Sequence, residues 1–260
     1  MSRIEETAAR ASADEPTAVA CPACREAEAR SAFAKDGYAL RRCRACGFLF
    51  VSPYPSEAEL AAYYNDSARA PTANFFNKAV SRRRRAWVRS LKFLPYVVGR
   101  SVLDIGCGGG FMAGAFARLG ARASGLDIGS GAIAYARRHF PRCTFYCEPF
   151  ADFRGRGLRF DFVFSSELLE HLPGPDGFLE TLAAVTKPGG HVYVSAPDAG
   201  HPAVPADVSR WSDVIPPEHL QFFNRGNAEL AFARYGFRLV KAYRKRTPAL
   251  SLIFRRDARP

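Results

Sequence analysis

A glycine-rich loop between an apolar strand pattern and a helix pattern restricts the fold of this chain most strongly. Residues 102–111 read VLDIGCGGGF. The apolar start predicts a buried strand, and the glycines predict a tight loop whose backbone N–H groups can approach a nucleotide ligand at the start of the next helix. Such a strand–loop–helix unit is typical of an α/β fold with a parallel sheet.

Strand and helix patterns alternate from about residue 100 onward. Strands are predicted at residues 101–105, 121–126, 144–147, 160–165 and 190–195, with helices at 111–119, 131–140, 168–171 and 176–186. An irregular Pro-rich segment at 197–217 precedes a helix at 227–235 and two strands at 237–245 and 249–254. The alternation predicts a Rossmann-like, doubly wound α/β sheet of seven strands that ends in an antiparallel hairpin.

Four of the seven cysteines form two Cys-x-x-Cys pairs, separated by 18 residues. The four are Cys21, Cys24, Cys43 and Cys46. Two short turns that each offer two sulfur atoms suit a tetrahedral ion, so the spacing predicts structural zinc in a small ribbon. A redox-active pair is the alternative, but a redox site uses one pair at a helix start rather than two pairs around a hairpin. The remaining cysteines are predicted to be small buried apolar residues; they are Cys107, Cys143 and Cys147.

Composition and spacing divide the chain into four predicted parts. These are a flexible tail at 1–20, a zinc ribbon at 21–55, a helical connector at 56–95 and the α/β domain at 96–260. In the connector, Ser56 with Glu59 three residues later predicts a helix start. A second, basic helix is predicted over 75–94, ending at Pro95.

Two carboxylates restrict the ligand of the glycine loop. Asp104 lies two residues before the first glycine, where it would repel a pyrophosphate but attract an ammonium group. Asp127 ends the second strand about 20 residues on, where a carboxylate can accept both hydroxyls of a ribose. Ile128 could cover one face of an adenine, and the loop with Glu148 and Phe150 could contact the other side. An ammonium group, a ribose, an adenine and no phosphate describe S-adenosylmethionine.

Further motifs follow the same order along the chain. They are FDFV at 160–163, LEHL at 169–172, KPGG at 187–190, PEHLQFF at 217–223 and GF at 236–237. With the glycine loop and Asp127, these motifs make residues 100–255 resemble a class I S-adenosylmethionine-dependent methyltransferase. The cysteine pairs, PYPS at 53–56 and LAAYY at 60–64 resemble the zinc-ribbon prefix of bacterial methyltransferases that act on small molecules or glycans.

The resemblance implies S-adenosyl-L-methionine as cofactor, structural Zn²⁺ on the four paired cysteines, and methyl transfer to a small-molecule or glycan acceptor, at a hydroxyl oxygen. It also implies a set of cofactor-binding residues. These are Asp104, Gly106, Cys107, Gly108, Gly110, Asp127, Ile128, Glu148, Phe150, Ser165 and Glu167.

Glu167, Glu170 and His171 have two interpretations. At positions i, i+3 and i+4 they could share one helical face and coordinate a divalent cation, as in some quinone-pathway methyltransferases that the sequence resembles. The alternative, which we favour, has Glu167 bordering the cofactor while His171 packs and forms structural hydrogen bonds.

The acceptor side is predicted in the segment 197–224, which follows the fifth strand and is long enough to act as a lid. His201, Trp211, Glu218 and His219 lie in this segment. A hydroxyl acceptor benefits from a base, and His is suited to that role. His219 is the first candidate for the catalytic base and His201 the second; a hydrogen-bonded structural His219 is the alternative.

The charge pattern leaves two classes of partner open. The formal net charge is +12, and 31 of the 37 cationic residues are Arg, with a run free of acids from 82 to 100. This run is either a solvated helix face or the contact of an anionic partner, which favours an anionic acceptor for an enzyme. The competing function is an RNA- or protein-directed methyltransferase or binding protein that uses the ribbon and the basic helix.

Two kinds of sequence pattern that are not found bear on the predicted substrate and the predicted location. No Asn/Asp-Pro-Pro-aromatic box follows the strand at 160–165, which disfavours methylation of a base amine and so makes nucleic acid the less favoured partner. The sequence shows no apolar run of ~20 residues and no secretory signal pattern at its start, which predicts a cytoplasmic protein without a membrane span.

Overall fold

The computed structural model describes residues 19–27, 29–65 and 78–258. Its strands are β1 (Ala29–Lys35), β2 (Tyr38–Cys43), β3 (Leu49–Val51), β4 (Ser101–Ile105), β5 (Arg122–Asp127), β6 (Thr144–Cys147), β7 (Phe160–Ser166), β8 (Thr186–Pro197), β9 (Gln221–Phe222), β10 (Phe237–Ala242) and β11 (Ala249–Arg256). Its helices are α1 (Glu57–Asn65), α2 (Ala79–Ser90), α3 (Leu94–Val97), α4 (Phe111–Arg118), α5 (Ser130–His139), α6 (Phe150–Gly155), α7 (Asp176–Val185) and α8 (Arg225–Ala233). The predicted tail lies outside the described residues up to residue 18.

A seven-stranded sheet in the order β10-β11-β8-β7-β4-β5-β6 forms the centre of the molecule. The five strands from β8 to β6 are parallel, and β11 pairs antiparallel with both β8 and β10. Helices cover the sheet, so its inner strands are almost continuously apolar and buried. The predicted seven-stranded α/β fold with a terminal antiparallel hairpin is confirmed.

The order of the parallel strands places the ligand side. After β4 the chain proceeds outward through β5 and β6, then returns to the other side of β4 with β7 and β8. In open α/β sheets, ligands bind beyond the carboxyl ends of the strands where the order reverses. Here that position is the gap between the loops that follow β4 and β7.

Some elements differ from their prediction. β8 begins at Thr186 rather than 190 because Thr186 already pairs with Phe160 of β7; the KPGG motif at 187–190 lies in the register shift that precedes the pairing of His191 with Phe162. The helix predicted at 168–171 is a single 3-10 turn, Leu169–His171. Helix α6 was not predicted, since six residues give too little periodicity to detect.

The basic helix predicted over 75–94 is observed as α2, a 3-10 turn at Leu91–Phe93, and then α3; residues 75–77 lie outside the described range. Pro95 does not end the helical run as predicted. It sits in the first turn of α3, where a missing N–H breaks no helical hydrogen bond. The inner face of this run is buried against the sheet and α4; its buried positions are Ala86, Ser90, Phe93 and Val97.

A second sheet of order β1-β2-β3-β9 contains the cysteine-rich segment. The hairpin expected between the cysteine pairs is formed by β1 and β2. The fourth strand, β9, comes from within the segment 197–224: Leu49 pairs with Phe222 and Phe50 with Gln221. The segment predicted to act as a lid on the acceptor side therefore contributes a strand to the sheet of the ribbon.

One apolar core crosses the predicted boundary between ribbon and α/β domain. Phe48 and Phe50 of the ribbon belong to the same buried cluster as Phe223 and Phe232, and the Phe48 and Phe223 rings lie 4.5 Å apart. The Arg234 guanidinium donates to the carbonyl oxygen of Pro22 in the first cysteine turn. None of the described helices has the length and apolar character needed to cross a membrane.

Candidate active site

The glycine loop joins β4 to α4 as predicted. Gly106, Gly108 and Gly110 all have positive φ, at 72°, 48° and 76°, a region that L side chains rarely adopt. A Cβ on Gly110 would lie 2.8 Å from the Phe145 ring, so only glycine fits there. The Gly106 and Cys107 amides donate to the Leu126 carbonyl oxygen, which ties the loop to the end of β5.

Asp104 is a buried carboxylate at the base of this loop, with 3% of its surface exposed. Burial raises the pKa of Asp104 to about 8, and the nearby charge of Asp127 acts in the same direction. The Ala113 amide and the Arg89 charge only partly offset these effects. No cation of the described residues bonds directly to Asp104. A buried carboxylate in this situation fits a ligand ammonium group, which would lower its pKa again.

Asp127 ends β5 and closes the loop from the other side. Its Oδ2 accepts from the Gly108 amide at 2.8 Å and its Oδ1 from the Gly129 amide at 2.8 Å. Each oxygen keeps a second lone pair, so both can also accept from a ribose diol. Ile128, the next residue, is 75% exposed. An apolar side chain left in solvent beside the ribose acceptor is available to cover an adenine face.

The other expected cofactor residues have more varied surroundings. The Glu148 carboxylate forms a bidentate ion pair with Arg156 at 2.5 and 2.8 Å, and this bond holds the pKa of Glu148 below its usual range. Phe150 packs towards Phe178 at 6.0 Å between ring centres. Ser165 is buried near the carboxyl end of β7, beside Ile105 of β4.

Glu167 lies where the two strands that flank the ligand side end. Its φ of 54° is unusual for a residue with a side chain. Two hydrogen bonds to Ser195 hold it there: the Glu167 amide donates to the Ser195 carbonyl oxygen at 2.9 Å, and the Ser195 hydroxyl donates to Glu167 Oε1 at 2.8 Å. A Cβ on Gly106 would lie 3.0 Å from the neighbouring Leu168 side chain. The residue that follows Glu167 in the chain is therefore in contact with the glycine loop.

A cavity of about 590 Å³ opens next to Glu167. Segment 197–224 supplies most of its wall and the β10–β11 connection supplies the rest. The lining residues used below are Glu167, Arg210, Trp211, Asp213 and His219. The structure thus brings His219 and Trp211 to one cavity, although the Trp211 indole is mostly buried among ribbon residues.

His219 has one ring nitrogen fixed and one available. Its Nδ1 lies 2.7 Å from the Asp213 carbonyl oxygen. Because a carbonyl can only accept, Nδ1 carries the proton, and Nε2 of the neutral ring keeps a lone pair. This tautomer is the one that a base needs.

His201, the second candidate base, is not among the residues that line this cavity. Its Nδ1 accepts from the Ala203 amide at 3.1 Å, and its Nε2 donates to the Lys245 carbonyl oxygen at 3.3 Å. Both ring nitrogens are used in backbone hydrogen bonds. Sequence position could not reveal this, since only the fold determines which way the ring turns.

Glu170, His171 and His219 bring three potential ligand atoms within 4.8 Å of one another. His171 Nδ1 lies 2.8 Å from the Glu218 carbonyl oxygen, so Nδ1 of the neutral ring carries the proton. Burial raises the pKa of Glu170 to about 8 and lowers the pKa of His171. The three side chains that the structure brings together are therefore Glu170, His171 and His219, and not the predicted set with Glu167. The same atoms also suit the structural role of His171 that we favoured.

The four paired cysteines meet at one point, as the spacing predicted. All four Sγ atoms lie within 4.8 Å of one another, and the Cys21–Cys46 and Cys24–Cys43 sulfur distances are both 3.6 Å. Tetrahedral bonds of about 2.3 Å to zinc would separate the sulfurs by about 3.8 Å. The donor set and its spacing therefore fit zinc.

The other three cysteines differ in exposure. Cys107 is buried, as predicted, whereas Cys143 is half-buried and Cys147 is exposed. The prediction of burial is wrong for Cys147, because it ends β6 at the outer edge of the sheet.

Sequence reasoning missed the role of Arg89. This residue of α2 reaches inward and donates to the Tyr193 hydroxyl at 3.2 Å and to Ser195 Oγ at 3.1 Å. Burial acts to raise the pKa of Tyr193, but Arg89, the Ser251 hydrogen bond and the Lys92 charge together outweigh it, and the pKa falls to about 8. The only signal in the sequence is the position of Arg89 three residues after the buried Ala86.

Relatives of known type match this part of the chain. A family model described as a methyltransferase domain matches residues 79–242. A ubiquinone biosynthesis O-methyltransferase of Vibrio vulnificus is 38% identical over 102 residues, which cover 37% of this chain and 43% of the relative. A protein of the same name from Coxiella burnetii is 36% identical over 101 residues, with the same coverage. The chain thus spans less than half the length of these relatives.

Solved structures show the same fold at low sequence identity. Magnesium protoporphyrin IX methyltransferase from Synechocystis, solved with bound SAH, has a TM-score of 0.58 and 15% identity, and the match covers 78% of this chain and all of that one. A Burkholderia thailandensis 1,6-didemethyltoxoflavin-N1-methyltransferase has a TM-score of 0.57 and 18% identity, with coverage of 88% and 99%. From the family match over most of its length and from this fold, the chain belongs to the methyltransferase domain family, within the class I S-adenosylmethionine-dependent methyltransferases.

Proposed function

We propose that this chain transfers a methyl group from S-adenosylmethionine to a hydroxyl oxygen of a small-molecule or glycan acceptor. The observation that carries the proposal is the cavity that both Glu167 and His219 line. It adjoins the donor side because Leu168, the residue after Glu167, packs against Gly106 of the glycine loop. One wall of the site thus suits the methyl donor, and the adjoining cavity offers a base with a free ring nitrogen.

The donor side depends on three groups of this chain. Asp104 offers a desolvated carboxylate to the ammonium group, and Asp127 accepts from the ribose hydroxyls. The glycine loop lets the backbone approach the ligand closely because Gly106, Gly108 and Gly110 carry no side chain. When bound, S-adenosylmethionine supplies a sulfonium methyl group that is open to in-line displacement. Alignment of the reacting atoms can account for ~7–11 kcal/mol of the barrier.

On the acceptor side, His219 Nε2 takes the hydroxyl proton while the Asp213 carbonyl oxygen holds Nδ1–H. Glu167, fixed by Ser195, offers its other oxygen to the same cavity. Arg210 also lines this cavity, together with the carboxylates of Glu167 and Asp213, and it is the group that would pair with a negatively charged acceptor. The relatives named as ubiquinone biosynthesis O-methyltransferases support oxygen as the methylated atom.

His219→Gln tests the proposal, with His201→Gln as the matched control. Radiolabelled methyl donor is offered with catechols and phenols, including dihydroxybenzoate, and with nucleotide sugars. We expect His219→Gln to lower kcat about 10²–10⁴-fold on the acceptor that is methylated, because it removes the base. His201→Gln keeps activity, since its ring makes only backbone bonds. Wild-type turnover in His219→Gln would overturn the role of His219.

Addition of EDTA distinguishes between two roles of His219, as a catalytic base and as a ligand of a divalent cation. If Glu170, His171 and His219 hold a divalent cation, the activity falls with EDTA and returns with Mg²⁺ or Mn²⁺. If His219 is the base, EDTA leaves the initial rate unchanged. Failure of the wild type to methylate any acceptor in the panel, although it binds the cofactor, would count against a phenolic or sugar hydroxyl acceptor.

We further propose that Cys21, Cys24, Cys43 and Cys46 hold one structural Zn²⁺, and that segment 197–224 closes the acceptor side. The sulfur spacing and the pairing of β9 with β3 support both proposals. Metal analysis of the purified chain should give about one zinc per monomer. Absence of zinc together with free alkylation of all four thiols would contradict the assignment.

A further inference from the structure

We propose that the outer face of α2 and α3 docks on an anionic phospholipid surface. This face includes the 3-10 turn between the two helices and the residue directly after α3. It is defined by Val80, Arg84, Val88, Leu91, Leu94 and Val98, and we call it the outer stripe. The proposal concerns where the chain binds and does not depend on the proposed reaction.

Helical spacing separates the outer stripe from the buried face of the same helices. The stripe residues follow one another at intervals of three or four, which places them on one side. The buried residues of this run, Ala86, Ser90, Phe93 and Val97, follow the same intervals on the opposite side. The apolar residues of the outer stripe therefore point away from the core and do not form its margin.

The apolar members of the stripe are unusually exposed. Val80 is 85% exposed, Val88 61% and Val98 56%, and Leu91 and Leu94 are just above 40%. Among the described residues, the large apolar side chains that are exposed concentrate in this one stretch. Single exposed apolar residues need no explanation, but a contiguous row of them marks an interaction surface.

Positive charge surrounds the same stripe. Arg84 lies within it, and Arg83 and Arg85 flank it. Within the described residues, Arg84 forms no ion pair, and Arg85 reaches only the Ser81 hydroxyl at 3.4 Å. The stretch from residue 78 to 103 contains no acid. These guanidinium groups are therefore free to bind phosphate.

Further cationic side chains line a cavity of about 230 Å³ beside the outer stripe. Arg83 and Trp87 of α2 line it together with Arg118, His139 and Arg142. The Arg118 guanidinium lies 4.6 Å from the centre of the Trp87 ring. The basic surface thus continues from α2 onto α4 and the α5–β6 connection.

The combination favours a membrane surface over a nucleic acid. Phosphates of either partner would attract the arginines, but only a bilayer offers hydrocarbon directly beneath the phosphate layer for Val80, Val88 and Leu91. A nucleic acid backbone would leave this apolar row in water.

Vesicle co-sedimentation of the full chain tests the proposal. We expect binding to phosphatidylcholine vesicles that contain 30% phosphatidylglycerol, little binding to pure phosphatidylcholine, and weakening with added salt. Arg84→Gln with Arg85→Gln should lower the partition coefficient about 5-fold per charge. Val88→Ser with Leu91→Ser should lower it at least about tenfold.

Two control variants change the same residue types elsewhere on the surface. Leu230→Ser with Val240→Ser, and Arg159→Gln with Arg244→Gln, should bind vesicles like the wild type. Circular dichroism confirms folding, and calorimetric titration with S-adenosylmethionine confirms that the cofactor site is intact. Equal loss in stripe and control variants, or no binding to anionic vesicles, would overturn the proposal. So would a gel shift with bulk RNA at 100 mM salt in the absence of vesicle binding.

Discussion

At the scale of single residues, the protonation of the Asp104 carboxyl is expected to be coupled to cofactor binding. With a pKa of about 8, this buried carboxyl is mostly protonated at pH 7 in the free chain. An ammonium group beside it stabilises the charged form, so cofactor binding at pH 7 should release a proton. The apparent binding enthalpy should then differ between buffers of low and high ionisation enthalpy.

Asp104→Asn should abolish this buffer dependence, because the amide does not titrate. It should also weaken cofactor binding about 10–100-fold, the effect of losing a hydrogen bond to a charged group. Identical enthalpies for the wild type in both buffers would show that the cofactor ammonium does not meet Asp104.

Asp161, near the amino end of the inner strand β7, makes the stability of the fold depend on pH. Partial burial acts to raise the pKa of Asp161, but hydrogen bonds from Ser101 and Lys187 outweigh it and bring the pKa to about 2. A depressed pKa stabilises the fold above the unfolded value of 3.8, and that contribution is lost as the pH falls towards 2. We expect Asp161→Asn to cost about 2 kcal/mol at pH 7.

Urea unfolding between pH 7 and pH 2 measures this effect. The free energy of unfolding of Asp161→Asn should approach that of the wild type at the acid end. Asp257→Asn, at an exposed carboxylate with a longer ion pair of 3.5 Å, is the control and should change stability little. A constant difference between Asp161→Asn and wild type across the pH range would contradict the prediction.

At the scale of the element, local patterns predicted the central sheet well. Its strands are apolar runs bounded by Gly and Pro, and Asp104 and Asp127 were found because their spacing from the glycine loop is fixed by the strand–loop–helix unit. β9 could not be found this way. It is a two-residue strand whose partner β3 lies far away in sequence, so no periodicity signals it. The orientation of His201 and the inward reach of Arg89 depend on such long-range contacts too.

The pairing of β3 with β9 links the cluster of four cysteines to the cavity wall that contains His219. Cys46 lies three residues before β3, and His219 lies two residues before β9. Removal of zinc should therefore loosen β9 and the residues around His219, while the glycine loop at 104–110 keeps its own bonds to β5. We expect faster amide exchange in peptides that cover 218–223 after chelation or in Cys43→Ser.

Hydrogen exchange read by mass spectrometry checks this expectation. Cys147→Ser, at an exposed cysteine outside the cluster, is the control and should exchange like the wild type. Calorimetric titration should give nearly unchanged cofactor affinity in Cys43→Ser. Unchanged exchange at 218–223 in a metal-free chain would show that the ribbon does not position the acceptor wall.

At the scale of the whole molecule, the continuous core predicts that ribbon and α/β domain unfold together. Phe48 and Phe223 belong to one buried cluster that also contains strands of the central sheet. Trp211 reports on the ribbon side, because it packs against Phe222 at 5.8 Å. In a Trp87→Phe variant, Trp211 is the remaining tryptophan, and its fluorescence should lose native character at the same temperature as the far-UV circular dichroism of the helices.

Phe48→Ala sharpens this test because the substitution lies wholly in the ribbon. It should lower the free energy of unfolding by about 3–5 kcal/mol. In a shared core, it shifts the fluorescence and circular dichroism midpoints by the same amount. In a separate ribbon, Phe48→Ala moves only the Trp211 transition and leaves the helical transition in place, since a domain with its own core unfolds on its own. The second result would restore the predicted boundary after residue 55 and contradict the single core.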